Sequence, residues 1–203
     1  MPYQKALAHL NSDPVIAELI ASFPPIEPKT EPDFYLTLLR SVVGQQLSVK
    51  AAATIFSRFI NLFPDQYPHP EEVLLLLDEQ LRGVGLSGQK SGYVRAVAES
   101  KKSGALDPQV ISHLEDEALI KHLTSIKGVG RWTAEMLLMF ALERHDVFPA
   151  DDLGIQNAMK KRYGLTTEKK ELRKQMLEIA ENWRPYRTIA SKYLWKSLNN
   201  LPG

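Results

Sequence analysis

The sequence predicts an all-α fold, and three observations carry that expectation. Apolar residues recur at i, i+3 and i+4 spacing along nearly the whole chain, which is the pattern of one buried helix face. No segment alternates apolar and polar residues in the manner of a half-buried strand. Capping residues and glycine turns punctuate the periodic segments at lengths suited to short helices, and about ten such helices fit the chain.

The first clear start is Asp13-Pro14, a side-chain cap followed by proline at the first helical position, opening a helix from Val15 to Phe23. FPPIEPKTEP, Phe23 to Pro32, reads as a proline-rich connector. Phe34, Leu38, Leu39 and Val42 then mark one helix, and Ser48 caps another with Ala52, Ile55, Phe56 and Phe59 on its apolar face. Short helices fit Pro70 to Leu77 and Asp78 to Val84. After the turn GLSG, a longer one fits Gln89 to Lys102, with Tyr93, Val94 and Val97 facing inward. Asp116 to Ile126 leads into a hairpin and a further helix. The last three segments are Leu153 to Tyr163, Glu168 to Trp183 and about Tyr186 to Leu198.

Composition narrows the chemistry. With no cysteine, the chain has no disulfide framework, thiolate zinc site, iron–sulfur cluster or cysteine nucleophile. Its 203 residues suffice to bury a core without such staples, as one compact domain or two small lobes. The N-terminal MPYQKALAHLNSDPVIAELI lacks the apolar core of a signal peptide, and no run approaches the roughly 20 apolar residues of a membrane span. The five histidines, His9, His69, His113, His122 and His145, show no metal-ligand spacing and are expected on the surface or in the core.

Net charge is only +1, but its distribution is uneven. Residues 150–203 hold 11 Lys/Arg against 6 Asp/Glu, whereas the remainder holds 14 against 18. A basic C-terminal quarter suits either a solvated helix face or a polyanion such as a phosphate backbone.

The most informative stretch is IKGVGRWTA, Ile126 to Ala134. Gly128 and Gly130 both permit positive φ, and they leave backbone N–H groups unshielded. The helix that follows would add the positive end of its dipole, so the turn can hold a phosphate oxygen without reading bases. Arg131 would add charge. The alternative is a plain helix–turn–helix joint that uses glycine as a C-cap.

Further on comes VFPADDLGIQNAMKKRYG, in which Asp151 and Asp152 open a helix. An N-cap accounts for either acid. A second use is chemical: breaking an N-glycosidic bond builds positive charge on the sugar, which a fixed carboxylate can stabilise.

Three blocks carry a resemblance: SVVGQQLSVKAA (Ser41 to Ala52), Ile126 to Gln156 with its hairpin and PADDLGIQ, and ENWRPYRTIASKYLW (Glu181 to Trp195). In this order they resemble the helix-hairpin-helix (HhH-GPD) superfamily of DNA glycosylases. Within it the chain is similar to the 3-methyladenine DNA glycosylase II family, in its short form without the extra N-terminal domain.

The resemblance implies a helix-hairpin-helix glycosylase fold of two helical lobes with the active-site cleft between them. One lobe would span residues 31–140 and end in the hairpin; residues 1–30 and 141–203 would build the other. It implies a monofunctional glycosylase of base excision repair, an enzyme that hydrolyses the N-glycosidic bond of alkylated purines in duplex DNA after base flipping. Asp152 matches the catalytic position, with Asp151 its neighbour. Trp132, Met136, Trp195, Gln45 and Leu153 match the base pocket. Gln46, Leu47, Ser48, Gly128, Val129, Gly130 and Arg131 match DNA-binding positions, with either Gln46 or Leu47 as the wedge that fills the gap in the stack. GVGLSGQK, Gly83 to Lys90, is either a second phosphate contact or a structural helix junction.

No cofactor is implied as required. A structural Na+ or K+ on the carbonyls of Thr124, Ile126 and Val129 is optional. The expected partner is double-stranded DNA containing alkylated bases, with no membrane, for a monomer located inside the cell with DNA, in bacterial cytoplasm or eukaryotic nucleus. Members that also cut the backbone carry lysine where this chain has Trp132, because a Schiff base needs an amine. Two other readings stay open: a non-enzymatic DNA-structure binder, and a glycosylase for oxidised or mismatched bases.

Overall fold

The computed structural model describes residues 2–26 and 33–199. Residues 27–32 of the proline-rich connector lie outside them. Thirteen helices, and no strand, occur among the described residues. α1 (Pro2–Leu10) and α2 (Pro14–Ser22) precede the connector. After it come α3 (Phe34–Gly44), α4 (Val49–Ile60), α5 (Pro70–Leu75), α6 (Asp78–Gly83) and α7 (Gly88–Lys102). α8 (Pro108–His113), α9 (Asp116–Thr124) and α10 (Arg131–Phe140) follow. α11 (Leu153–Tyr163), α12 (Lys169–Glu181) and α13 (Arg187–Asn199) close the chain.

The helix starts follow their sequence signals. Asp13 accepts hydrogen bonds from the Val15 and Ile16 N–H groups at 2.9 and 3.2 Å, satisfying donors that no helical carbonyl can reach. Ser48 caps α4 through the Ala51 N–H at 3.3 Å. Two helices are additional to the expected set, α1 and α8. The second repeats the Asp-Pro start at Asp107-Pro108, but the Asp107 side chain makes no capping bond.

Two compact units divide the chain: Met1–Thr30 with Leu138–Gly203, and Glu31–Leu137. The division falls inside α10 rather than at its end. In the central unit, Leu38, Leu39, Val42, Phe59, Val73, Val94, Val97 and Leu123 are buried, and α7 packs against α3 and α5. In the unit built from the chain ends, α13 packs against α2 and α11. Ile16, Leu19, Ile155, Met159, Met176, Trp183 and Leu194 fill that core. Each such side chain contributes about 1.5–3 kcal/mol by leaving water, and the same packing fixes the starts of α11 and α4 on which the site residues stand.

Candidate nucleic-acid interface and active site

In the central unit, α3 ends at Gly44 and the chain turns through Gln45 and Gln46 before Ser48 starts α4. Gln46 adopts φ +59°, a left-handed conformation that side chains other than Gly, Asn and Asp rarely hold. The Leu47 N–H closes the turn on the Gly44 carbonyl at 3.2 Å. Gln46 and Leu47 are both exposed, while the Ser48 hydroxyl is committed to capping.

Nothing in the spacing pointed to the lysine beneath this turn. Lys90 Nζ donates to the carbonyls of Val43 and Gln45, each at 2.7 Å. A cation at a helix C-terminus satisfies carbonyls that have lost their next-turn partners. Burial holds the Lys90 ammonium below the usual lysine pKa. The segment from Gly83 to Lys90 is therefore a helix junction. Gly85 at φ +101° makes the turn, Ser87 caps α7, and Lys90 reaches back under α3.

Gln45 is tied elsewhere. Its side-chain amide donates to the Gly128 carbonyl at 2.9 Å and points at the Thr133 hydroxyl at 3.5 Å, so it joins the turn to the hairpin. That tie is additional to its expected place in the base pocket.

The hairpin runs from α9 to α10. The Ile126 N–H bonds the Leu123 carbonyl at 3.1 Å, and the Val129 N–H bonds the Ile126 carbonyl at 3.0 Å. Gly128 sits at φ +91°, and a Cβ there would lie 2.2 Å from the Tyr93 ring. Tyr93 thus faces the hairpin as well as the core. Gly130 differs from expectation: it is not among the positive-φ residues. Its carbonyl accepts the Ala134 N–H at 3.0 Å, which begins α10, and nothing lies within 4 Å of a Cβ built on it. Positive φ is needed once, at the turn; Gly130 instead leaves an open surface.

Arg131, beside the hairpin, pairs with two carboxylates. Its guanidinium donates to both Glu117 oxygens, at 3.1 and 2.5 Å, and to Glu135 Oε1 at 2.9 Å. The Glu117 hydrogen bonds raise its pKa, and a phosphate would meet this guanidinium beside those two carboxylates. Val129 is buried and offers only backbone, while Lys127 in the same turn is exposed. Trp132 is 48% exposed at the start of α10, and Met136 follows one turn later, half-buried.

In the other unit, Asp152 caps α11. Its Oδ1 accepts the Ile155 N–H at 2.8 Å and the Trp195 indole N–H at 2.8 Å. The capping role and the indole contact thus coincide on one oxygen. Asp151 bonds Arg173 at 3.1 Å on the surface. Leu153 is 69% exposed. Gly154, unremarked in the sequence, is what permits this arrangement: a Cβ there would lie 3.0 Å from Asp152 Oδ1 and from Trp195 Cδ1 and Nε1. A glycine within a helix costs about 1 kcal/mol relative to alanine, and that cost was the available signal.

Trp195 also stacks on Phe140, with centroids 5.8 Å apart and planes 30° from parallel. Lys192, one turn before Trp195, places Nζ 5.0 Å from the Phe140 centroid. Burial lowers its pKa, partly offset by Glu143.

Among the described residues, no cluster of His, Cys, Asp and Glu could hold a metal ion, and no helix is long and apolar enough to cross a membrane.

An all-helical chain with an open glycine hairpin and a helix-capping aspartate held by an indole defines a helix-hairpin-helix protein. The chain belongs to the HhH-GPD superfamily of base excision DNA repair proteins, whose profile it matches over residues 39–185. It is 39% identical over 184 residues to DNA-3-methyladenine glycosylase 1 of Schizosaccharomyces pombe, spanning 90% of this chain and 80% of that one. It is similar in structure to the DNA-3-methyladenine glycosidase of Bacillus halodurans, with TM-score 0.87 and 36% identity over 98% of this chain and 90% of that one. The S. pombe 3-methyladenine DNA glycosylase in complex with abasic DNA superposes with TM-score 0.80 and 36% identity, over 96% and 97% of the two chains.

Proposed function

We propose that the protein is a monofunctional DNA glycosylase that removes alkylated purines, 3-methyladenine and 7-methylguanine, from duplex DNA and leaves an abasic site. The observation that carries the reading is Asp152, fixed by the Ile155 N–H and the Trp195 indole N–H on one oxygen, in a chain of this superfamily.

The chemistry follows from charge. A purine methylated at N3 or N7 is cationic, so the bond from its nitrogen to the sugar C1′ breaks with the electron pair going to the base, which departs neutral. Positive charge then develops on the sugar, and the Asp152 carboxylate stabilises it. Water bonds C1′ and gives up its proton, to the carboxylate or to solvent. The two donors on Asp152 keep the carboxylate in place without solvent reorganisation at the moment of reaction.

The indoles of Trp132 and Trp195 each offer a π-face to the base, attracting a cationic ring by roughly 0.5–2 kcal/mol. The backbone around Gly128 and Gly130 binds phosphate, and Gln46 or Leu47 fills the vacated stack. With Trp132 where lyase members have lysine, no Schiff base forms. The carbonyls of Thr124, Ile126 and Val129 are the neutral oxygens that would hold an optional Na+ or K+. That of Ile126 accepts the Val129 N–H and keeps a second lone pair. A cation there would add positive charge beside the phosphate.

Single-turnover base release from matched duplexes, each with one lesion, tests the reading. The methylated purines are released faster than hypoxanthine or 8-oxoguanine, and borohydride traps no protein–DNA adduct. Release of 8-oxoguanine at least as fast as 7-methylguanine would replace the alkylation reading with the oxidised-base one.

A further inference from the structure

We infer that Lys90 and Gln45 are positioning residues that lock the Gln45–Ser48 turn to the hairpin, so that gripping the backbone and filling the vacated stack are done by one rigid piece. This rests on the function proposed above.

A turn that enters a base stack must resist being pushed back, because unstacking a base costs a few kcal/mol. The turn has little intrinsic stiffness. Gln46 holds a left-handed φ of +59°, which a glutamine leaves readily unless its neighbours over-determine it. Two ties do so, one on each side of the strained residue's predecessor. From below, Lys90 Nζ holds the Val43 and Gln45 carbonyls at 2.7 Å each, fixing the last turn of α3 and the residue just before Gln46. From the side, the Gln45 amide holds the Gly128 carbonyl at 2.9 Å.

Gly128 in turn packs directly against the Tyr93 ring, which occupies the space a Cβ would need. Tyr93 stands on α7, the helix that also carries Lys90. The wedge turn, the hairpin and α7 thus close a loop of contacts around one backbone position. Charge sharpens the Lys90 tie. Hydrogen bonds from an ammonium to carbonyls are stronger than neutral ones, and an unpaired half-buried ammonium would be costly.

The test compares Lys90→Met, Lys90→Arg and Gln45→Leu with wild type in two readouts. The first is single-turnover release of 7-methylguanine from a matched duplex and from a duplex with the lesion opposite an abasic site, where unstacking is already easy. The second is fluorescence of 2-aminopurine placed beside the lesion, which reports loss of stacking independently of bond cleavage. Lys90→Met and Gln45→Leu are expected to slow release from the matched duplex by about tenfold and to reduce the fluorescence rise. For Lys90→Met, release from the pre-opened duplex stays within about twofold, and Lys90→Arg recovers most of the loss.

Equal loss on both duplexes for Lys90→Met, or no loss on either, would overturn the inference. Should wild type release no base at all, the proposed function fails instead. In that case the 2-aminopurine signal still decides whether Lys90→Met weakens intercalation.

Discussion

Two aspartates in the same unit, Asp13 and Asp152, begin as the same device and end as different ones. Each caps a helix, and each accepts a hydrogen bond from a tryptophan indole brought from α12's end or from α13. At Asp13, Oδ1 takes the Val15 and Ile16 N–H groups, while Oδ2 takes the Trp183 indole and the Tyr163 hydroxyl, both at 2.9 Å. Trp183 is 1% exposed, and burial beside Asp13 pushes the Tyr163 phenol well above its usual range. That carboxylate is a core fastener.

At Asp152 the helix N–H and the indole share Oδ1. Its surroundings also open outward: Leu153 is exposed, Gly154 has no side chain, and Trp195 is backed by the 41% exposed Phe140. The two aspartates differ both in which oxygen takes the indole and in how open their surroundings are, and the chemical role is proposed for the accessible one.

The strongest way to break this comparison is to give both positions the same substitution. Asp152→Asn keeps an oxygen for the Ile155 and Trp195 donors, and asparagine caps as well as aspartate. Base release should fall by at least about a hundredfold while DNA affinity and Tm stay close to wild type. If activity stays within about threefold of wild type, the carboxylate has no catalytic part, and Asp151→Asn becomes the variant to measure.

Asp13→Asn should do the reverse. Replacing Oδ2 by an amide sets an N–H against the buried Trp183 N–H, a loss of about 1–3 kcal/mol in stability. Denaturant melts should register that loss, with unchanged turnover per folded molecule. A catalytic defect without loss of stability would erase the distinction drawn here.

Gly154→Ala sharpens the same point at smaller scale. The added Cβ meets Trp195 and Asp152 Oδ1 at 3.0 Å, so the indole must give by a few tenths of an ångström and its bond to the carboxylate loosens, slowing release about tenfold at constant Kd. An unchanged rate would mean that Trp195 can retreat without moving Asp152.

The glycines of the hairpin give the mildest contrast. Gly130→Val enters open space and should weaken binding to damaged and undamaged duplex alike, by about three- to tenfold, without lowering Tm. A loss confined to damaged DNA would exclude a general phosphate anchor. Gly128→Ala, which meets Tyr93, should instead appear mainly as lost stability.

The helix starts were legible because capping is local: Asp13-Pro14 and Ser48 carry their signals within four residues. Hairpin, acid pair and tryptophans were legible as motifs, and all of them but Trp195 fall within the residues 39–185 that match the superfamily. The carboxylates beside Arg131 were not legible, because Glu117 lies fourteen positions before it in sequence yet chelates it. Nothing in a spacing pattern says which carboxylate a guanidinium will meet.

By itself, then, the sequence determined the all-α class, the hairpin and the candidate carboxylate, because periodicity, capping and turn chemistry act over a few residues. Only the tertiary structure decided that Lys90 lies under the α3 carbonyls and that Gln45 reaches Gly128. It alone decided that Gly154 makes room for Trp195 beside Asp152. Those are contacts between residues 43 to 83 positions apart, and they exist only once packed helices bring those segments within hydrogen-bonding distance.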